Sequence, residues 1–143
     1  MAKIPIKSNR KIINNKTNLK MNYKIKITIE KYQELSKRTN VDLGALLTNN
    51  LHMAMGLSTE CGEILDVFKK HIAYNKDIDY VNIKEELGDI MFYVVNMCNI
   101  NEWDLRDIME TNINKLRARF PEKFTQENAL NRDLETERKI LEK

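Results

Sequence analysis

Residues 42–74 read DLGALLTNNLHMAMGLSTECGEILDVFKKHIAY, a proline-free stretch that predicts one long helix. Asp42 can cap its first turn, and the polar residues 75–77 are typical of the turn that follows. Its longest uncharged part, residues 43–59, is shorter than the roughly 20 apolar residues that cross a bilayer, and polar residues interrupt it. The stretch therefore predicts a long helix that does not span a membrane.

Further helices are predicted on both sides of this stretch. They run from about Thr28 to Thr39, from Tyr80 to about Cys98 after a cap at Asp79, from about Glu102 to Phe120 between a cap at Asn101 and a stop at Pro121, and from Thr125 toward the C-terminus. The sequence holds 4 Gly and 2 Pro, too few for a loop-rich all-β protein, and it lacks a long alternation of apolar and polar residues. These features predict an all-α fold, a four-helix-bundle-like arrangement with a C-terminal helical extension.

The composition is that of one globular domain. The chain has 143 residues, of which 42% are hydrophobic and 31% are charged, which is enough apolar material to bury a core. Two cysteines cannot form a disulfide framework, so a reducing compartment is expected, and the cytoplasm is the predicted location. Cys61 and Cys98 lie on apolar helix faces, which predicts that both belong to the core.

The N-terminal segment differs in charge from the rest of the chain. Residues 1–40 contain 11 Lys and Arg but only 2 Asp and Glu. We expect residues 1–27 to form a basic, flexible arm ahead of a domain at residues 28–143. A basic arm can also bind nucleic acid, but Tyr23 is the only aromatic residue in this one, whereas single-strand binders interleave several. Nucleic-acid binding is therefore a second hypothesis for the arm.

Two pairs of carboxylates occupy the long helix and the helix that follows it. The pairs are Glu60-x-x-Glu63 and Glu86-x-x-Asp89. Residues three apart lie on one face of a helix, so each pair can present its two carboxylates together. The connection between the helices is short, which predicts antiparallel neighbours whose acidic pairs can meet. Four converging carboxylates repel each other unless a cation neutralises them, and all-oxygen ligation suits Mg²⁺ or Mn²⁺.

Glycines beside the acids support a ligand site. Gly62 and Gly88 lie inside the two pairs, and Gly56 lies one turn upstream. A glycine inside a helix costs about 1 kcal/mol relative to alanine, so three of them suggest that something approaches the backbone closely. The alternative is that the acids are surface charges in ion pairs with lysines such as Lys70. The residues by themselves leave both interpretations open.

Other metal or nucleotide chemistries lack their residues. A di-iron carboxylate bundle repeats Glu-x-x-His, but the only histidines, His52 and His71, do not complete that motif. A P-loop motif is also absent from the sequence. Polar and basic residues instead extend the acidic stripes or line up beside the apolar stripe of the fourth helix, as a metal–polyphosphate site requires. They are Tyr93 and Asn96 after Asp89, His52 and Lys70 on the long helix, and Asn112, Lys115 and Arg119 on the fourth helix. A solvated helix edge and an ordinary histidine remain the alternatives for these residues.

A wider pattern surrounds the acids. Residues 50–66 read NLHMAMGLSTECGEILD, residues 84–93 read KEELGDIMFY, and 22 residues separate the two pairs. Residues 112–124 read NINKLRARFPEKF. Together these stretches resemble the MazG-like all-α nucleotide pyrophosphohydrolases, in particular their short single-domain members from phages and bacteria, over about residues 28–143. The sequence departs from the family at Cys61, where a small alanine is common.

The resemblance implies a MazG-type fold and a reaction. The reaction is Mg²⁺-dependent hydrolysis of (deoxy)nucleoside triphosphates to a nucleoside monophosphate and pyrophosphate, with Mn²⁺ able to substitute. Water would attack the α-phosphorus, and the biological role would be nucleotide-pool control or house-cleaning. A catalytically silent helical interaction module and a nucleic-acid-binding protein led by the basic arm are the rival hypotheses.

The resemblance also implies roles for individual residues. Glu60, Glu63, Glu86 and Asp89 would bind the metal, and Glu60 or Glu63 would also activate the attacking water. Substrate-binding positions would be Asn96, Lys115 and Arg119 near the phosphates, Lys70 as a weaker candidate, and His52 near the base or sugar. Family members are homodimers or dimers of dimers, so a homo-oligomer is expected, and neither a membrane nor a nucleic-acid partner is.

Overall fold

The computed structural model describes residues 26–142, and these residues fold into helices joined by short connections. The helices are α1 (Ile29–Ser36), followed by a short 3-10 turn (Lys37–Thr39), α2 (Leu46–Tyr74), α3 (Tyr80–Ile100), α4 (Leu105–Arg119), α5 (Gln126–Leu130) and α6 (Leu134–Leu141). No β-strand occurs between residues 26 and 142, so the all-α prediction is confirmed. The basic arm predicted at residues 1–27 lies outside the described residues except for Lys26 and Ile27.

The helices α2 and α3 form a long antiparallel hairpin. Asn75 ends α2 in the left-handed conformation, with φ of 51°, and its backbone N–H donates to the carbonyl of His71. Asp79 then caps α3, because its carboxylate accepts 3.0 Å hydrogen bonds from the backbone N–H groups of Val81 and Asn82. These local signals are the ones that predicted the turn and the third helix. The hairpin brings the faces of α2 and α3 that carry the acidic pairs against each other.

Two predicted helix starts are wrong. Asp42 does not cap α2, because its carboxylate accepts from the backbone of Gly44 and from the side chain of Asn49, and the helix begins at Leu46. Asn101 does not cap α4, because its side chain is hydrogen-bonded to Asn50 across the hairpin. Asp104 caps α4 instead, accepting a 2.7 Å hydrogen bond from the N–H of Arg106. Local hydrogen bonds therefore engage Asp42, whereas a contact across the hairpin engages Asn101.

The C-terminal extension consists of two short helices rather than the single stretch expected after Thr125. Thr125 caps α5 as predicted, accepting from the N–H of Asn128 at 3.1 Å. The chain then leaves the helical conformation, and Asp133 caps α6 through the N–H of Thr136 at 3.0 Å. The last helix packs on α4.

The largest buried apolar cluster lies where α1, α3 and the start of α4 meet. Val95, Cys98 and Leu105 form it, and α1 covers it with Ile29 and Tyr32. Cys98 is buried as predicted, and this burial raises the pKa of its thiol. Cys61 is exposed, so the prediction that both cysteines belong to the core is wrong for Cys61. The apolar pattern around it does mark a helix face, but no part of the described chain covers that face at this position.

Apolar side chains remain exposed along much of the hairpin. On α2 and α3 the exposed apolar residues are Leu46, Leu47, Leu51, Met55, Leu65, Phe68, Ile72, Tyr74, Tyr80, Val81, Leu87 and Met91. The buried hydrophobic residues are fewer: Met53, Val67, Val95, Cys98 and Leu105. A single chain therefore covers only one side of its longest helices. None of the helices within residues 26–142 combines the length and hydropathy needed to cross a bilayer.

Candidate active site

Three of the four predicted metal ligands meet between α2 and α3. Carboxylate oxygens of Glu60, Glu63 and Glu86 all lie within 4.8 Å of one another. Asp89 is not part of this closest group, but its charge is near enough to raise the pKa of Glu60. The antiparallel hairpin thus brings the two acidic pairs together, as the sequence predicted.

The cluster combines one buried acid with more exposed ones. The Glu86 side chain is 4% exposed, and the amide of Asn82 donates a 2.5 Å hydrogen bond to its Oε1. Glu63 and Asp89 are exposed, and Glu60 is half-buried. Asn82 was not among the predicted site residues, although its position one helical turn before Glu86 is the signal that could have identified it.

Repulsion within the cluster is visible in the electrostatics of Glu60. Burial raises the pKa of the Glu60 carboxyl, and so do the charge of Glu63, a hydrogen bond with Glu86 and the charges of Glu86 and Asp89. Burial and the charge of Asp89 likewise raise the pKa of Tyr32. A divalent cation would relieve this repulsion, because its positive charge offsets the negative charges of the carboxylates. An all-carboxylate donor set at this spacing fits a hard cation such as Mg²⁺ or Mn²⁺.

A cleft opens beside the cluster. It has a volume of about 410 Å³, and its lining residues are Thr59, Gly62, Glu63, Asp66, Lys70 and Asn82. Lys70 Nζ lies 2.6 Å from Asp66 Oδ2, and Lys69 pairs with the same carboxylate. Hydrogen bonds from Lys69 and then Lys70 hold the pKa of Asp66 at about 2, so this carboxylate stays charged. Lys70, a weaker candidate from the sequence, therefore lies at the edge of the acidic site, held by an aspartate that the sequence interpretation missed.

Residues 48–124 match the model of the MazG nucleotide pyrophosphohydrolase domain, and this segment contains all four acids. The chain belongs to this family. The "Gene 37 protein" of Mycobacterium phage L5 is 38% identical to it over 73 residues, which are 48% of this chain and 63% of that relative. The aligned part thus spans less than two thirds of the relative. No solved structure matches the chain significantly.

Within the MazG domain, His52 lies on α2 and packs against Tyr93 of α3. It is two helical turns before Glu60 on α2, and its ring meets Tyr93 edge to face, with 6.4 Å between the ring centroids. Its Nδ1 is shielded from solvent, and no residue between 26 and 142 hydrogen-bonds to it. Tyr93 in turn covers Gly56, one turn before Glu60. The histidine therefore packs against Tyr93 two helical turns from Glu60, with Nδ1 enclosed inside the hairpin.

The remaining predicted substrate residues of the MazG domain are placed differently. Asn96 is completely buried, donates to the carbonyl of Phe92 and accepts from Asn99. Its side chain supports the interior of the hairpin, and within one chain it cannot reach a ligand directly. Asn96 and Asp89 lie on the same side of α3, but that side is exposed at Asp89 and buried at Asn96.

Lys115 and Arg119 lie on α4, which packs mainly on α1 and α6 rather than beside the carboxylates. Lys115 is half-buried, and Arg119 is engaged in an ion pair with Glu137 of α6. One chain therefore does not bring these two cations to the acidic cluster.

Proposed function

We propose that this MazG domain hydrolyses (deoxy)nucleoside triphosphates to a nucleoside monophosphate and pyrophosphate. The observation that carries the proposal is the convergence of Glu60, Glu63 and Glu86 between α2 and α3, inside the segment that matches the family model. The aligned part of the phage relative is less than two thirds of its length, and its name carries no activity. The substrate is therefore proposed from the chemistry of the site and from the family.

The proposed cofactor is Mg²⁺, held by Glu60, Glu63, Glu86 and Asp89. Family members are typically metal-dependent, and the donor set here is all carboxylate. When bound, such a cation neutralises phosphate charge and makes the phosphorus easier to attack. Mn²⁺ has the same preference for oxygen ligands and is expected to substitute.

Individual side chains are assigned the roles of general base, rigid ligand and substrate-binding residue. Glu60, half-buried among the other acids, would take the proton of the attacking water as general base. Glu86, fixed by Asn82, is the rigid member of the set. Lys70 lines the cleft where a phosphate would enter, and His52, two helical turns before Glu60, would contact the base or sugar. In this assignment the water attacks the α-phosphorus, and pyrophosphate leaves.

The proposed assembly is a homodimer or a dimer of dimers. The exposed apolar face of α2 and α3 supports it, since Leu47 is 79% exposed and Ile72 is 83% exposed in a single chain. Contiguous apolar surface of this kind marks an interface. A partner could also bring Lys115 or Arg119 to the carboxylates, as the single chain does not.

Two other functions have less support. A catalytically silent helical module would have no need for three carboxylates at metal-binding spacing. Nucleic-acid binding would depend on the basic arm, and salt-sensitive DNA binding that disappears when residues 1–20 are deleted would favour it. The MazG-domain match lies at residues 48–124, away from the arm.

In the decisive experiment, the protein is incubated with a panel of nucleoside triphosphates and Mg²⁺ in ¹⁸O-labelled water. The products are separated by chromatography, and mass spectrometry identifies the product that carries the label. Monophosphate and pyrophosphate are the expected products, with the label in the monophosphate because water attacks the α-phosphorus. Label found only in pyrophosphate would place the attack at the β-phosphorus. Release of a nucleoside diphosphate, or no turnover of any member of the panel, would reject the proposal.

A further inference from the structure

A close contact joins α2 and α3 next to the carboxylates. The ring of Tyr93 lies directly over the backbone of Gly56. A β-carbon added at Gly56 would lie 2.5 Å from Cδ1 of Tyr93 and closer still to Cε1 and Cζ, which no real side chain tolerates. A β-carbon added at Gly62 or Gly88 would meet no atom within 4 Å. Of the three helical glycines near the acids, Gly56 is therefore the one that packing within the described chain requires.

The Tyr93 ring is confined on other sides as well. His52 meets it edge to face at a centroid distance of 6.4 Å, and Phe92 does so at 5.5 Å. Aromatic pairs at such distances and angles attract each other. The ring therefore acts as a rigid spacer, which a larger residue at position 56 could move only by disturbing these neighbours.

This contact lies at matched distances from both acidic pairs. Along α2, Glu60 and Glu63 follow Gly56 by four and seven residues. Along α3, Asp89 and Glu86 precede Tyr93 by the same four and seven residues. Because the helices are antiparallel and rise 1.5 Å per residue, these spacings correspond to about 6 and 10.5 Å on both helices. The contact therefore lies one to two helical turns from the acids on each helix.

We propose that Gly56 and Tyr93 are positioning residues, which fix the spacing and register of α2 against α3 and thereby the geometry in which the carboxylates bind a divalent cation. The inference rests on the proposed function, since that function supplies the cation. Mg²⁺ requires ligand distances of about 2.0–2.1 Å in near-octahedral geometry, so a small displacement of one helix separates ligands that must bind together. A methyl group at position 56 produces such a displacement.

The test measures binding of Mn²⁺ alone to the full chain by electron paramagnetic resonance, with helix content checked by circular dichroism. Gly56→Ala is expected to weaken Mn²⁺ binding by about tenfold to 100-fold, the range seen when residues that orient metal ligands are changed. Ser58→Thr is the matched control, because it adds one methyl group at an exposed position on the same helix. It is expected to bind Mn²⁺ as the unchanged chain does.

Variants of Tyr93 keep the inference testable even if Gly56→Ala does not fold. Tyr93→Phe keeps the ring and should keep the Mn²⁺ affinity, whereas Tyr93→Leu removes the spacer and should lower it. The double variant Gly56→Ala/Tyr93→Leu should lose less Mn²⁺ affinity than the product of the two single losses. The reason is that the smaller side chain at position 93 makes room for the methyl group at position 56.

Equal Mn²⁺ binding by the unchanged chain and by folded Gly56→Ala or Tyr93→Leu would overturn the positioning role alone. A double variant whose loss equals the product of the single losses would also overturn it. Failure of the unchanged chain to bind Mn²⁺ would instead remove the cation, and with it the proposed function. Mn²⁺ binding without nucleotide hydrolysis would reject the proposed reaction and leave the positioning role in place.

Discussion

Arg119 at the end of α4 donates two parallel hydrogen bonds to the carboxylate of Glu137 on α6, from Nε to Oε1 at 2.8 Å and from Nη2 to Oε2 at 2.5 Å. Arg132, in the connection before α6, binds the same carboxylate, with Nη2 at 2.6 Å from Oε2. Glu137 is 4% exposed. This charged cluster therefore ties the C-terminal helix to α4, and it gives Arg119 a structural role in addition to the phosphate-binding role that the resemblance implied.

Replacing Glu137 with glutamine should destabilise the chain. The substitution leaves the guanidinium of Arg119 without its charged partner in a largely buried place, so Tm should fall by several degrees. Thermal unfolding followed by circular dichroism measures it. Glu135→Gln is the matched control on the same helix, because Glu135 pairs with Lys139 in solvent and should contribute little. An equal Tm for both variants would contradict the importance of the cluster.

The contribution of Glu137 should also depend on pH. Hydrogen bonds from Arg119 and then Arg132 lower the pKa of Glu137 from 4.5 to about 2 in the folded chain. A lowered folded-state pKa stabilises the fold above the unfolded-state pKa, and this stabilisation is lost as the pH falls through the folded-state pKa. The Tm difference between the unchanged chain and Glu137→Gln should therefore be complete at pH 6 and shrink between pH 4.5 and 2. A difference that stays constant over that range would show that the charge of Glu137 is not the cause.

Replacing Glu63 or Asp89 with alanine should abolish turnover without unfolding the chain. Each variant removes a proposed cation ligand from an exposed position, so kcat should fall by about 100-fold or more while the helical circular-dichroism signal is kept. Chelation of the metal should have the same effect on the unchanged chain. Glu85→Ala, which removes an exposed acid beside the cluster, is the control and should stay active. Loss of the helical signal in Glu63→Ala or Asp89→Ala would mean that these acids are structural.

Two glycines with open space around them should respond to alanine in opposite directions. Gly88 lies inside α3, where alanine is the better helix former, so Gly88→Ala should raise the free energy of unfolding by about 0.5–1 kcal/mol. Gly44 has a φ of 82°, so Gly44→Ala should lower it by about 1 kcal/mol or more. Urea unfolding measures both. A loss of stability in Gly88→Ala would mean that something covers Gly88 that the single chain does not show.

A charge on the exposed face of the hairpin should disrupt the proposed assembly. Leu65 is 68% exposed and Ile72 is 83% exposed, and the two lie on the same face of α2, two turns apart. Leu65→Glu or Ile72→Glu should therefore shift the oligomer toward monomer. Light scattering after size-exclusion chromatography reports the mass. Leu130→Glu, at a position 75% exposed on α5, is the control and should leave the mass unchanged. A monomeric unchanged chain would reject the assembly.

Local signals made much of the helical framework predictable. Thr28, Asp79 and Thr125 cap the helices that they were expected to cap, because an N-cap bond joins residues only two or three positions apart. Asp42 and Asn101 do not, because Asp42 binds Gly44 and Asn49 at the start of α2 and Asn101 binds Asn50 across the hairpin. The missed caps therefore mark positions where other hydrogen bonds, local at Asp42 and long-range at Asn101, took up the side chain.

The sequence by itself determined the helical class, the family and the two acidic pairs, since these depend on composition and on short spacings along one chain. Only the tertiary structure decided which faces meet. It joined Glu60 and Glu63 to Glu86, buried Asn96, engaged Arg119 with Glu137 and left Cys61 exposed. The physical reason is that a helical period shows which residues share a face, whereas the neighbour of that face depends on contacts between distant parts of the chain.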